Sequence, residues 1–332
     1  MASARRTADR DVTLAGIQAP VRERLDRVQP ELHRIVTHEV PMIEQVSGHL
    51  LQMRGKMFRP TLTLLASDVE GQGQNAAVTL SASIELLHLA TLVHDDSVDH
   101  SVLRRGLPTV NAMFSHQVSV IMGDFLYSRA LRAMVELNSL EVMRILTEVS
   151  NELAVGEMRQ LAAIDVLDFD EAGYVSLIRS KTGSLLSASC ETGALFGAIQ
   201  HRAALARYGE RLGLAFQIVD DLLDYTADQS VTGKPSGLDL KEHKVTLPLI
   251  MALPRLSAAA RSRVDALFAE EPSDAMVAEV VGIVTEAGGL ERARRRGAQF
   301  AEEAAEALSS LPDSPVRAAL RDAIVYVMDR RS

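Results

Sequence analysis

The stretch that decides the fold reads Leu86-Leu87-His88-Leu89-Ala90-Thr91-Leu92-Val93-His94-Asp95-Asp96-Ser97-Val98-Asp99. It carries no strand-like alternation. Together with the residues before it, it sets Leu80, Ile84, Leu87 and Thr91 at spacings of three and four, the period of a helix, over Leu80 to His100. This predicts a largely buried helix that ends in carboxylates. A counterpart stands downstream, where the apolar run Leu212 to Val219 leads into Asp220-Asp221-Leu222-Leu223-Asp224. Residues 120–137 repeat the helical pattern through Phe125, Leu126, Leu131, Met134 and Val135. Breakers such as Gly71-Gln72-Gly73, Arg105-Gly106-Leu107-Pro108, Asp228 to Gly237, Glu271-Pro272-Ser273 and Gly288-Gly289 separate segments of helical length. No linker rich in Pro, Gly and Ser is long enough to separate a pair of domains, and no internal repeat is visible. With aromatics at 4% and Ala, Leu, Arg and Glu abundant, the expectation is an all-α, single many-helix domain over 14–332, preceded by a polar flexible tail at 1–13.

A net charge of −9 across 332 residues leaves no broad positive field for a nucleic-acid backbone. Nucleic acid is not an expected partner. The one cysteine, Cys190, has no partner in the chain for a disulfide or a thiolate metal site and reads as a small buried residue. Met1 to Thr13 lacks the apolar core of a signal peptide, and no eighteen uninterrupted apolar residues occur. These features predict a cytoplasmic protein, at most peripheral to a membrane. The charge-rich segment from Ser257 to Gly297, with Arg292, Arg294, Arg295 and Arg296, reads as a solvated helix face.

The chemistry lies in the two acidic clusters. On a helix, residues i and i+4 share a face, so Asp95 with Asp99 and Asp220 with Asp224 each aim two carboxylates one way. Like charges so placed destabilise a helix unless a cation lies between them. A single Asp-x-x-x-Asp is most simply a solvated helix end, but two of them, each abutting an apolar segment, call for a hard divalent ion. Mg²⁺ is typically held by one or two carboxylates together with substrate phosphates, which points to a metal-bridged phosphate ligand. An EF-hand is excluded, because its loop Gly and terminal Glu are missing. Basic residues punctuate the chain around these clusters: Lys56 and Arg59, His88, Arg104 and Arg105, Lys181, and Lys234 through Lys244. Taken singly, each Lys or Arg reads as a surface charge and His88 as a satisfied core histidine.

In order, however, Gly55-Lys56-x-x-Arg59-Pro60, His94-Asp95-Asp96-Ser97-Val98-Asp99 with Arg104-Arg105-Gly106, Gly123-Asp124-Phe125-Leu126, Lys181-Thr182-Gly183, Phe216-Gln217-Ile218-x-Asp220-Asp221-x-x-Asp224, and Gly233-Lys234 with Lys244-x-Thr246-Leu247-Pro248 resemble the motif set of the trans-prenyltransferases, the isoprenyl diphosphate synthases. The resemblance runs from Ile17 to the C-terminus. It is nearest to bacterial octaprenyl-forming members, and it includes Gly156-Glu157-x-x-Gln160-Leu161 and Leu311-Pro312-Asp313-Ser314-Pro315.

The resemblance implies a helical isoprenoid-synthase fold around a central cavity and a homodimer. It implies that an allylic diphosphate, farnesyl for instance, is bridged through Mg²⁺, three per loaded site, to Asp95, Asp99 and Asp220. Asp96, Asp221 and Asp224 would be further ligands or their supports, and Arg104, Lys181 and Lys234 would clamp the remaining oxygens. Isopentenyl diphosphate would be held without metal by Lys56, Arg59, His88 and Arg105. Thr182 and Gln217 match positions whose oxygens lie near the cationic carbon. The implied product is a long all-trans polyprenyl diphosphate, octaprenyl, for a quinone side chain, passed on to a membrane acceptor. Small residues at Ala90 and Thr91 leave the upper tunnel open, with Leu87, Tyr127, Leu131 and Met134 expected to line or close it further down.

Two departures from the family pattern are visible: Met57-Phe58 replaces a basic-aliphatic pair, and His243 replaces a loop glycine. Rival readings are a terpene cyclase, which would not need the isopentenyl site, a short-chain farnesyl or geranylgeranyl synthase, and a non-catalytic subunit of a heteromeric synthase, which would not need intact acidic clusters.

Overall fold

The computed structural model describes residues 12–53, 55–162, 167, 169–226 and 237–330. Met1 to Asp11 of the expected tail, and Lys234 among the expected phosphate ligands, lie outside the described residues. The Thr13 hydroxyl accepts from the Gly16 amide at 3.1 Å and caps the first helix, α1 (Leu14–Gln18). Then come α2 (Arg22–Asp26), α3 (Val28–Val36), α4 (Pro41–Gln52), α5 (Phe58–Ser67) and α6 (Ala76–Val98). A two-residue hairpin, β1 (Leu103–Arg104) against β2 (Leu107–Pro108), is the whole of the sheet among the described residues.

Next are α7 (Val110–Met113), α8 (His116–Glu136), α9 (Leu140–Ala162) and α10 (Glu171–Ile178). Ser115 and Asp170 start α8 and α10 by accepting from the amides of Val118 and Gly173, the usual way a helix N-terminus satisfies its free donors. A π-helical turn over Arg179–Gly183 joins α10 to α11 (Ser184–Ala194), and α12 (Arg202–Thr226) follows. The C-terminal region comprises α13 (Leu238–Lys241), α14 (Leu247–Ala252), α15 (Ala258–Ala269), α16 (Asp274–Glu286), α17 (Gly289–Ala307) and α18 (Pro315–Met328).

The all-α expectation holds. The helix expected over Leu80 to His100 is α6, which starts four residues earlier, and the one over 120–137 is α8. At 23 residues α6 is long and apolar enough to cross a bilayer, yet 61% of its most apolar window is buried inside the protein, as suits a core helix. It packs on α8 and α5; α5 leads on to α11, which lies along α12, whose other side is covered by α17. Close approach is built in where α11 meets α12. A Cβ added to Gly213 would come within 2.8 Å of the Gly183 Cα, so the two backbones touch. Cys190 is fully buried in α11, and burial pushes its thiol pKa up, which makes it a packing residue. In the charge-rich segment Arg294 and Arg295 pair with Glu291 on the surface. Arg292 instead turns inward and donates to the carbonyls of Met251 and Ala287, tying α17 to α14.

Candidate active site

Between α6 and α8 on one side and α9, α11 and α12 on the other lies a cleft of about 1090 Å³. One end is polar and carries Lys56, Arg59, Asp95, Arg104, Lys181 and Asp220; the walls leading away from it are Leu87, Ala90, Thr91, Tyr127, Leu153 and Leu185. The polar end is where α6 and α12 finish. Their carboxylates therefore sit in the last turns of two helices, at the negative end of each macrodipole. Burial raises Asp95 to about 7, with the Glu157 charge adding to it and Lys181 opposing. Burial likewise raises Asp220 to about 6 against the pull of Arg330, Lys56 and Arg59. Asp221 is lifted to about 7 by burial, although two hydrogen bonds hold it back. Burial thus outweighs the cations and hydrogen bonds beside these carboxylates.

A pH dependence follows. The folded-state values lie above the ordinary carboxylate value, so these groups favour the metal-free fold at acid pH, and that contribution is lost as pH rises through 6 to 7. A divalent cation needs the ionised forms. The rise in melting temperature produced by Mg²⁺ with inorganic diphosphate is expected to be small at pH 5 and largest at pH 8. An increment independent of pH in thermal melts would contradict this.

The predicted ligands divide. Asp95 and Asp220 face the cleft, while Asp99 lines a smaller adjoining cavity of about 230 Å³ with Asp221, Asp239 and Lys244. Asp96 is buried and committed to Arg104, whose Nε donates to both carboxylate oxygens at 2.8 and 2.9 Å; it faces away from the cleft and is placed to orient Arg104. Asp224 accepts from the amides of Leu238 and Asp239 at 3.0 and 3.1 Å, so it starts the short helix α13. Thr182 donates to the Gln217 amide oxygen at 2.8 Å, and the Gln217 amide nitrogen donates to Asp221 at 2.9 Å. On the other side of Asp221 the buried Tyr174 hydroxyl donates at 2.6 Å. The Thr182, Gln217 and Asp221 side chains are thus locked as one unit.

Lys56, Arg59, His88 and Arg105 come together at the cleft, as the sequence leads one to expect. The Arg59 Nε is buried with no hydrogen-bond partner among the described residues, a donor left available at the cleft it lines. His88 is held well below its usual value by burial and by Arg59, Arg105 and Arg104, so it is a neutral donor or acceptor. Arg105 adopts a left-handed backbone (φ 53°) and donates to the Met53 carbonyl at 2.8 Å.

Several cleft residues went unread in the sequence. Glu85 sits beside Arg59 and Arg105, and burial raises its carboxyl. Arg330 donates to Asp220 at 2.8 Å and lies 4.5 Å over the Phe216 ring, where it serves as an internal counter-ion. Tyr326 carries Lys56 over its ring at 5.9 Å. Phe58, one of the two departures, stacks on Phe216 and lies against Tyr326, so it builds the wall beneath those cations. Met57 and His243, at the departure positions, both take positive φ (50° and 54°), the conformation in which glycine is least strained.

The expected tunnel wall needs one correction. Leu87 and Tyr127 line the cleft, but Leu131 and Met134 do not, Met134 being fully buried in the core. Their place is taken by Thr147, Ser150, Asn151 and Leu153 of α9 and by Leu185 and Leu186 of α11.

The donor set fits Mg²⁺. Among the described residues no three acidic or imidazole groups converge into a closed cage, and the ionisable oxygens that do face the cleft are hard donors on opposite walls. Such an arrangement leaves most of the coordination sphere to phosphate oxygens.

Fold and site together define a helical isoprenoid synthase. Residues 40–284 match the polyprenyl synthetase family. The chain is 38% identical over 309 residues to octaprenyl diphosphate synthase of Escherichia coli, covering 92% of each protein. It superposes on a decaprenyl diphosphate synthase from Rhodobacter capsulatus with a TM-score of 0.91 at 36% identity, covering 96% of this chain and 100% of the other. With a polyprenyl synthase from Caulobacter crescentus, solved with calcium and isoprenyl diphosphate, the TM-score is 0.92 at 32% identity, over 97% and 99% of the two chains. The chain belongs to the polyprenyl synthetase family.

Proposed function

We propose that this chain condenses isopentenyl diphosphate with an allylic diphosphate, farnesyl for instance, and repeats the step to a long all-trans product, octaprenyl diphosphate, for a quinone side chain. The observation that carries this reading is that the polar end of one cleft holds two differently built sets of groups, each suited to a phosphate. In one, the buried carboxylates of Asp95 and Asp220 face the cleft, Asp220 with Arg330 as its ion-pair partner; in the other, Lys56, Arg59, Arg105 and neutral His88 meet around a guanidinium nitrogen without a hydrogen-bond partner among the described residues. A terpene cyclase has no use for the second set, and a non-catalytic subunit has no use for the first.

Asp95 and Asp220 would hold Mg²⁺, three ions per loaded site, with Asp99 and Asp224 nearby. Bound Mg²⁺ neutralises the allylic diphosphate and makes it a better leaving group. The chain's own residues do the rest. Arg104, fixed by Asp96, and Lys181 take phosphate oxygens not on metal. Lys56, Arg59 and Arg105 fix the second diphosphate so that its double bond meets the allylic carbon. The Thr182–Gln217 pair presents fixed oxygen dipoles where positive charge develops, and the apolar walls keep water from it. The growing chain runs along Ala90, Thr91 and Leu87.

A homodimer is supported by exposed apolar side chains on α8 and α9, with Ile121 66% and Met158 67% accessible. The enzyme would be cytoplasmic, touching a membrane when its product meets an acceptor there. Incubation with Mg²⁺, isopentenyl diphosphate and farnesyl diphosphate should yield octaprenyl diphosphate; a hydrocarbon, or a product that stops at geranylgeranyl, would sink the reading. Arg59→Ala should raise KM for isopentenyl diphosphate by more than tenfold, since losing a buried charge-assisted contact costs about 2 to 5 kcal/mol, with little change for the allylic substrate. If steady-state kinetics put the larger rise on the allylic substrate, the two sets are exchanged.

A further inference from the structure

The segment Gly156-Glu157-x-x-Gln160 has no role in the reaction as laid out so far. It lies on α9 where that helix passes the π-helical turn carrying Lys181. A Cβ on Gly156 would stand 3.0 Å from the Ser180 Cβ and 3.1 Å from the Lys181 Cγ, so the glycine leaves a channel for the lysine stem. At the end of that channel the Lys181 ammonium donates to Glu157 Oε1 at 2.8 Å, to Glu157 Oε2 at 2.9 Å and to Gln160 Oε1 at 2.5 Å. Residues three apart share a helix face, which brings Glu157 and Gln160 to one spot. An ammonium has three donors, and these three oxygens occupy them. A phosphate oxygen can therefore be gripped by Lys181 only if one of the three gives way. Glu157 is the charged one of the two residues, so parting from it costs Lys181 more than parting from the neutral Gln160 amide, although its 37% accessible side chain keeps that cost modest.

We propose that Gly156, Glu157 and Gln160 form a seat that holds the Lys181 ammonium against α9, and that Glu157 competes with the substrate diphosphate for it. Glu157 and Gln160 are positioning residues that act through Lys181. The inference rests on the reading that Lys181 meets the diphosphate. The seat serves two ends. It keeps a flexible cation from wandering onto Asp95, which lines the same cleft, and it sets a threshold that a ligand of low charge does not cross.

The test is calorimetric titration of the full chain with inorganic diphosphate in the presence of Mg²⁺, using Glu157→Gln, Lys181→Ala and the double variant, each checked by thermal melting. Lys181→Ala should weaken binding. Glu157→Gln keeps the shape of the seat without its charge and should tighten binding roughly two- to fivefold, the worth of a partly exposed ion pair. In the Lys181→Ala background the Glu157→Gln gain should vanish. A gain that persists there would mean that Glu157 acts directly on the anion or on the neighbouring Asp95, and not through Lys181, and would overturn the seat. If Lys181→Ala costs affinity but Glu157→Gln brings none, the seat falls while Lys181 remains a diphosphate ligand. If Lys181→Ala costs nothing, the assignment beneath the seat falls with it.

Discussion

Replacing Asp95 or Asp220 by alanine should reduce kcat by roughly a thousandfold or more, because each variant removes one of the two cluster carboxylates, one on α6 and one on α12, that line the cleft. Neither loss should harm the fold. Both groups are held near neutrality by burial, at about 7 and about 6, so their ionised forms burden the metal-free protein at pH 8. The metal-free variants are expected to melt at or above the parent at that pH while losing most of the increment brought by Mg²⁺ and diphosphate. For Asp220→Ala the gain should be the smaller one, since Arg330 gives up a partner at 2.8 Å. Turnover close to the parent's at saturating Mg²⁺, or collapse of the fold, would show that these carboxylates do something else.

The second large effect concerns product length. Ala90 is 2% accessible and lines the cleft five residues before Asp95, roughly 7 Å below it along α6. A tyrosine there has no room in the core and must put its ring into the cleft, which Leu185 and Leu186 also line. With a farnesyl primer Ala90→Tyr is expected to stop the product at geranylgeranyl length, and with a geranyl primer at farnesyl or geranylgeranyl length, leaving the first condensation intact. Overpacking is expected to cost stability by about 1 to 3 kcal/mol. Chromatography of the products decides it; an unchanged product would mean that the chain takes another route out.

What could be read from the sequence was whatever is local or ordered along the chain. The period of α6 and the carboxylates at i and i+4 needed no partner to be recognised, and the Lys56, Arg59, His88 and Arg105 group followed from motif order. What could not be read was which groups meet across the fold. Asp96 and Asp99 look alike in sequence, but Asp96 turns to Arg104 on the hairpin after α6. Arg330 reaches Asp220 from 110 positions away, with no signal in its own neighbourhood. Leu131 and Met134 have the right spacing for a tunnel wall, but spacing does not say which helix lies opposite, and α9 fills that side. His243 shows the reverse case. A departure that the sequence marks as a strained glycine position does take a positive φ of 54°.

The contact between Gly213 and Gly183 has the character of a gauge block. Gly183 closes the turn that carries Lys181 and Thr182, and Gly213 stands one helical turn before Gln217 and two before Asp220. The distance across the reacting centre is thereby set by backbone meeting backbone, a stop that cannot change rotamer or yield by a fraction of an ångström as a leucine would. With a methyl group facing a space of 2.8 Å, any other residue at Gly213 would act as a shim and spread one row of functional groups from the other. The machine's tolerance is held by two residues that have no side chain and do not line the cleft.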